Sequence, residues 1–257
     1  MWTFGAPALG LIVGSFANVC IHRLPKGESV VTPRSRCPRC GAFLRAWENV
    51  PVLSYLALLG RCRSCRAPIS PRYFLVEIAN ALLYLALALW FPPSARAVLL
   101  MAFVTALLVL SVIDLEHHLL PDVITLPGIV AGVLGSFLPQ PPDGPMPLAA
   151  AAAALGGYLA FFGVATAYER TRGVEGLGQG DWKMAAMLGA FLGPAKLLLT
   201  IFLASLAGTA VGLVLMAFRG RGAQHALPLG TFLGLAGLVV LFLGGPMLAW
   251  YRGLLHG

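Results

Sequence analysis

Residues 97–113 read "AVLLMAFVTALLVLSVI", and residues 114–122 continue "DLEHHLLPD". The first part is uncharged over a length close to what a helix needs to cross a hydrocarbon core, roughly 17–25 residues. The second part gathers Asp114, Glu116, His117, His118 and Asp122 where the apolar run stops. An uncharged run ending in a dense polar cluster is the signature of a helix leaving a membrane, and the same reading extends to the rest of the chain.

Of 257 residues, 58% are hydrophobic and 11% charged, against roughly 25% charged in soluble domains. Apolar runs lie near 4–21, 73–91, 97–113, 123–138, 148–168, 182–193, 196–218 and 228–250. The sixth is too short to cross alone unless the bilayer thins around it. The opening stretch, "MWTFGAPALGLIVGSFANVC", lacks a basic leader and a small-residue cleavage site, so it reads as a retained transmembrane helix. The expected fold is an all-α polytopic membrane protein of about eight transmembrane helices, with a small cytoplasmic zinc-binding module inserted after the first. The expected organisation is a first transmembrane helix at 1–21, the module at 22–71 and a multi-helix membrane domain at 72–257.

Charge supplies the topology. Ten basic residues lie between Ile21 and Arg72, against two acids, Glu28 and Glu48. Basic loops stay in the cytoplasm, which places this loop inside and both termini outside. The net charge of +8 is then a topology signal and gives no reason to expect a nucleic-acid partner.

The loop reads "CPRC" at Cys37–Cys40 and "CRSC" at Cys62–Cys65, with 21 residues between the pairs. Two CxxC turns can present four thiolates to one tetrahedral ion, so Cys37, Cys40, Cys62 and Cys65 are the expected ligands of a structural zinc. A pair of disulfides is the competing reading, disfavoured in the reducing cytosol. Four cysteines leave no open position for a catalytic water. Metal binding would contribute much of the folding energy of so small a module.

The chain has ten acids, and most have ordinary expectations. Glu28 and Glu48 are expected to be solvated or to pair with arginines of the basic module, and Glu77 lies close enough to the interface to pair with Arg72. Glu169 and Glu175 should lie in a charged loop, and Asp143 in a Pro-rich connector. Asp114 and Asp181, the latter in "GLGQGDWK" at 176–183, fall on the same cytoplasmic side when the helices are threaded by charge. A carboxylate near the bilayer is costly and usually faces a polar cavity, so the two suggest one site. Paired carboxyls sharing a proton can split peptides: one acts as base toward a water and the other donates to the carbonyl. Gly178 and Gly180 would allow a close approach of substrate backbone. Alternatives stay open on these residues: Asp114 and His118, at i and i+4, could hold a metal, or the two aspartates could simply pair with cations such as Lys183. Asp122 is expected to start the next helix in a capping or supporting role, and Lys183 to anchor its own helix at the interface.

Four stretches together resemble the type IV prepilin leader peptidases, also called prepilin peptidase/N-methyltransferases: "GSFANVCIHRLP" at 14–25, the tetracysteine stretch at 35–77, "DLEHHLLPDVITLPG" at 114–128, and "GQGD" at 178–181, which fits a GxGD signature. The resemblance implies that Asp114 and Asp181 are the catalytic pair of an aspartic endopeptidase. It implies prepilins and pseudopilins as substrates, cut on the cytoplasmic side of a bacterial inner membrane. It further implies methylation of the new N-terminus with S-adenosylmethionine, hosted by the cysteine module, although no G-x-G-x-x-G after a strand is present to bind that molecule. Two departures from the family pattern are Ala46-Trp47 in the module and "PLGT" at 228–231, where "PFGP" is common; neither is expected to touch the acids. A membrane transporter with buried carboxylates, or a membrane-anchored zinc-module scaffold, are the readings of other classes.

Overall fold

The computed structural model describes residues 1–139, 144–173, 176–219 and 227–256; Asp143 and Glu175 lie outside the described residues. The chain forms two compact units, Met1–Val109 and Leu110–Gly257.

In the first unit, α1 (Trp2–Arg23) packs along α3 (Pro71–Trp90). The approach is close because Gly10 and Gly14 face Ala81 and Glu77 with no side chain between, the small-residue contact on which helices in lipid rely. Asn80, fully buried, donates to the Gly10 carbonyl at 2.8 Å and accepts from the Thr105 hydroxyl at 2.8 Å. A polar side chain inside an apolar helix pair is stable only when bonded in this way.

The module between α1 and α3 contains one short α-helix, α2 (Leu53–Ala57), two 3-10 turns at Leu24–Lys26 and Ala46–Asn49, and two near-identical knuckles. In the first, Cys37 N donates to Ala42 O at 2.9 Å and Arg36 bridges Phe43; in the second, Cys62 N donates to Ala67 O at 2.8 Å and Arg61 bridges Pro68. The local repeat "RCPRCGA"/"RCRSCRA" therefore folds twice into the same knuckle. The left-handed residue is Gly41 (φ 72°) in one copy and Arg66 (φ 58°) in the other. Buried Arg23 secures the segment entering the module by donating to the carbonyls of Ser29 and Pro33. Glu77 of α3 receives the Val52 N–H at 2.8 Å, which ties the module to that helix. Glu48 does pair with an arginine, Arg63, at 2.9 Å.

α4 (Ala95–His117) carries the uncharged run at 97–113. It is followed by α5 (Asp122–Gly135), α6 (Pro147–Arg172), α7 (Gln179–Arg219) and α8 (Leu229–His256). In the second unit α7 packs against α5, α6 and α8. It is two limbs in one: Gly193 has φ 75° and ψ 176° inside the helix, next to Pro194. That backbone region is open essentially only to glycine, and proline removes a helix hydrogen bond, so the break is encoded in two adjacent residues.

Among the described residues, six helices are long and apolar enough to cross a membrane by length and composition. The eight apolar runs correspond to eight helical segments, with α7 holding two of them and α5 too short to span. The protein is an all-helical, multi-pass membrane protein. Large apolar side chains such as Phe4, Leu198, Phe202 and Leu206 are exposed on its helices, as a lipid-facing surface requires. Glu169 belongs to the last turns of α6 rather than to a loop.

Candidate active site and metal centre

The second unit places its acids at helix ends. Asp114 is in the last turn of α4, where the chain leaves the helix because His118 adopts φ 51° while its N–H still bonds the Asp114 carbonyl at 2.9 Å. For a residue with a Cβ the left-handed conformation costs roughly 1–2 kcal/mol, so the surrounding packing must hold it. Asp181 is in the first turn of α7, its N–H bonded to the Gly178 carbonyl at 3.0 Å. The two aspartates line one cavity of about 380 Å³, together with His118, Leu119, Leu120, Pro121, Asp122, Gly178, Gln179, Gly180 and Lys183.

Neither aspartate takes Lys183. Its ammonium lies 2.7 Å from both carboxylate oxygens of Asp122. Asp122 makes no capping bond at the start of α5, where Pro121 is the N-cap. Its supporting role is instead to tie α5 to α7. Gly180 is packed against its own chain: a Cβ there would come 2.7 Å from Leu120 Cβ. At Gly178 an added Cβ would stand 3.6 Å from Asp181 Oδ2, so the face of this glycine is open toward the carboxyl.

The residue missed by sequence reasoning is Thr231, the last of "PLGT". Its N–H donates to Asp114 Oδ2 at 2.7 Å, and its hydroxyl lies 3.1 Å from the same oxygen and 2.9 Å from the Ser111 carbonyl. The expectation that this stretch does not touch the acids is corrected: the start of α8 lies directly on Asp114. Gly230 makes that possible, because a Cβ there would stand 3.0 Å from the Asp114 carboxyl carbon. No sequence spacing signals a contact between residues 117 positions apart.

In the module, the sulfurs of Cys37, Cys40, Cys62 and Cys65 all lie within 4.8 Å of one another, and Cys37 and Cys65 are 3.9 Å apart. All are free thiols. A tetrahedral zinc with Zn–S of about 2.3 Å needs sulfurs about 3.8 Å apart, so the four cysteines fit a metal ion of that kind. The N–H groups of Cys65 and Ser64 bring the Cys62 thiol down to about 7, favouring the thiolate that a metal binds. Among the described residues this is the one cluster of three or more such ligands able to hold an ion; the Asp114–His118 metal reading gains no third ligand.

Comparison with known proteins adds the following. Residues 8–91 match the Bacterial Peptidase A24 N-terminal domain, and residues 101–213 match the Type IV leader peptidase family. A protein of Burkholderia pseudomallei named prepilin leader peptidase/N-methyltransferase is 41% identical, over 94% of this chain and 85% of its own. One of Pseudomonas aeruginosa with the same name is 40% identical, over 95% and 91%. One of Pseudomonas putida is 38% identical, over 97% and 96%. No solved structure matches the chain.

Proposed function

The chain belongs to the type IV leader peptidase family, and from that premise we propose that Asp114 and Asp181 are its catalytic dyad. They cleave the leader from prepilins and pseudopilins at the cytoplasmic face of the bacterial inner membrane. The observation that carries the reading is the convergence of these two carboxyls, from the end of α4 and the start of α7, on one cavity.

The chemistry follows from the pair. Two close carboxyls share one proton. The ionised member takes a proton from a water, whose oxygen attacks the scissile carbonyl carbon. The protonated member gives its proton to the carbonyl oxygen, forming a tetrahedral diol. Collapse of the diol breaks the C–N bond, and the departing amine takes up a proton from the dyad. No covalent intermediate forms. Asp114, residues 118–122, residues 178–181 and Lys183 form the walls of the cleft, and Gly178 gives the substrate backbone access to Asp181.

The new N-terminal amine is then the nucleophile for N-methylation, the second activity of the family. S-adenosylmethionine, entering as a co-substrate, would supply the methyl group: the neutral amine takes the methyl carbon as its bond to the sulfonium sulfur breaks, S-adenosylhomocysteine leaves, and the methylated amine sheds a proton to water. Residues 22–71 are the module we assign to this step, and zinc on Cys37, Cys40, Cys62 and Cys65 holds its two knuckles together. Its role is structural, since all four positions are cysteines.

Incubating purified prepilin with wild-type, Asp114→Ala and Asp181→Ala protein, and reading product by mass spectrometry, tests the assignment. Both variants should leave the leader uncut. A transporter would instead show altered ion flux with processing intact, and a scaffold would tolerate both alanines.

A further inference from the structure

We propose that Thr231 is a positioning residue for the dyad, holding Asp114 Oδ2 so that the other oxygen, Oδ1, is the one that exchanges protons in the reaction. This rests on the assignment of Asp114 as catalytic.

A carboxyl group turns easily about its last torsion, whose preference is broad and two-fold. An aspartate in a dyad would then interchange its oxygens unless something distinguishes them. Here two donors from one residue meet the same oxygen: the Thr231 N–H at 2.7 Å and its hydroxyl at 3.1 Å. The groups are almost fully enclosed, with Asp114 5% exposed, Thr231 7% and Ser111 3%. The Gly230 backbone lies against the same carboxyl, too close for a side chain. Oδ2 is therefore committed to the start of α8.

The hydroxyl has one proton and two acceptors in reach, Asp114 Oδ2 and the Ser111 carbonyl. While Asp114 is ionised, donation to the carboxylate is the stronger bond. Once Asp114 has taken the proton from water, the hydroxyl can turn to the Ser111 carbonyl without leaving any group unbonded. Thr231 thus follows the charge on Asp114 through the cycle with a rotation of one O–H.

Thr231→Val keeps the shape and the N–H and removes the hydroxyl; Thr231→Ser restores it. With purified prepilin, the valine variant should lose roughly three- to tenfold in kcat with KM unchanged, and the serine variant should stay within about twofold of wild type. The amount of folded enzyme is read in parallel by thermal unfolding. Wild-type kcat per folded enzyme in the valine variant, or serine as slow as valine, overturns the proposal. So does a loss that appears only in KM. If valine does not fold, Thr231→Ala against Thr231→Ser makes the same comparison. Loss of fold in both hydroxyl-free variants assigns the hydroxyl to structure and also overturns it. Asp114→Asn in the same assay separates the two readings: activity there removes the dyad itself, whereas an inactive Asp114→Asn beside an unaffected Thr231→Val removes only the role of Thr231.

Discussion

Lys183 Nζ is 2.7 Å from both carboxylate oxygens of Asp122, which joins the first turn of α5 to the first turn of α7. Both residues line the cavity that Asp114 and Asp181 also line. Asp122 thus has a cation as its partner, which distinguishes it from Asp114 and Asp181 in the same cavity.

Asp122→Asn and Lys183→Met should therefore be mild. The Asp122 side chain is 54% exposed, and exposed ion pairs contribute about 0.2–1 kcal/mol. Peptidase kcat/KM should fall by roughly two- to tenfold, through looser placement of the α7 limb that carries Asp181. Steady-state kinetics on prepilin check this; complete inactivation of Asp122→Asn would promote that residue to the reaction itself.

Gly193→Ala should destabilise the second unit. At φ 75° and ψ 176° the alanine is strained by about 1–3 kcal/mol, and its Cβ would come 2.9 Å from Pro145 Cβ. A lower unfolding midpoint in detergent is expected, with activity falling in step. An unchanged midpoint would mean that the kink is not needed to join the two limbs of α7.

Removing metal should unfold the module selectively. Purified protein should carry one zinc per chain by metal analysis. Chelation or Cys37→Ser should open residues 22–71 to protease while the helices stay intact. N-methylation should be reduced at least as strongly as cleavage. Equal protease resistance with and without metal would contradict the zinc assignment.

Acid should weaken the same module through Glu48. The Arg45 N–H at 2.6 Å and the Arg63 guanidinium at 2.9 Å hold its carboxyl below the ordinary glutamate range. A depressed carboxylate contributes stability above its unfolded-state value and loses it as pH falls through the folded one. Hydrogen exchange of residues 45–63 should speed up on acidification in wild type by more than in Glu48→Gln, which lacks the titrating group. Identical pH responses in the two proteins would show that Glu48 does not link the turns.

The helical segments were legible because uncharged length is itself the physical requirement for crossing lipid, and each apolar run became a helix. Two of the runs are short limbs, α5 and the first part of α7, and these are the ones next to the acids. The cysteine cluster was legible because two CxxC turns are local and repeat. Asp114 and Asp181 could be placed on one side by counting charges. What could not be read depends on packing between distant segments. Thr231 is an ordinary polar residue at the start of an apolar run until α8 lies on Asp114. Lys183 looked like an interfacial anchor until Asp122 came within reach. His118 seemed to continue the helical face of Asp114, since no glycine announces the turn that it makes at positive φ.

The most direct test of the dyad is a double-mutant comparison of kcat/KM on purified prepilin, using Asp114→Asn, Asp181→Asn and the two combined. Groups that act as one unit lose as much singly as together. The three variants should therefore share one floor, at least about a thousandfold below wild type. Independent losses that multiply in the double variant, or near-normal cleavage by either single variant, would contradict a shared catalytic pair.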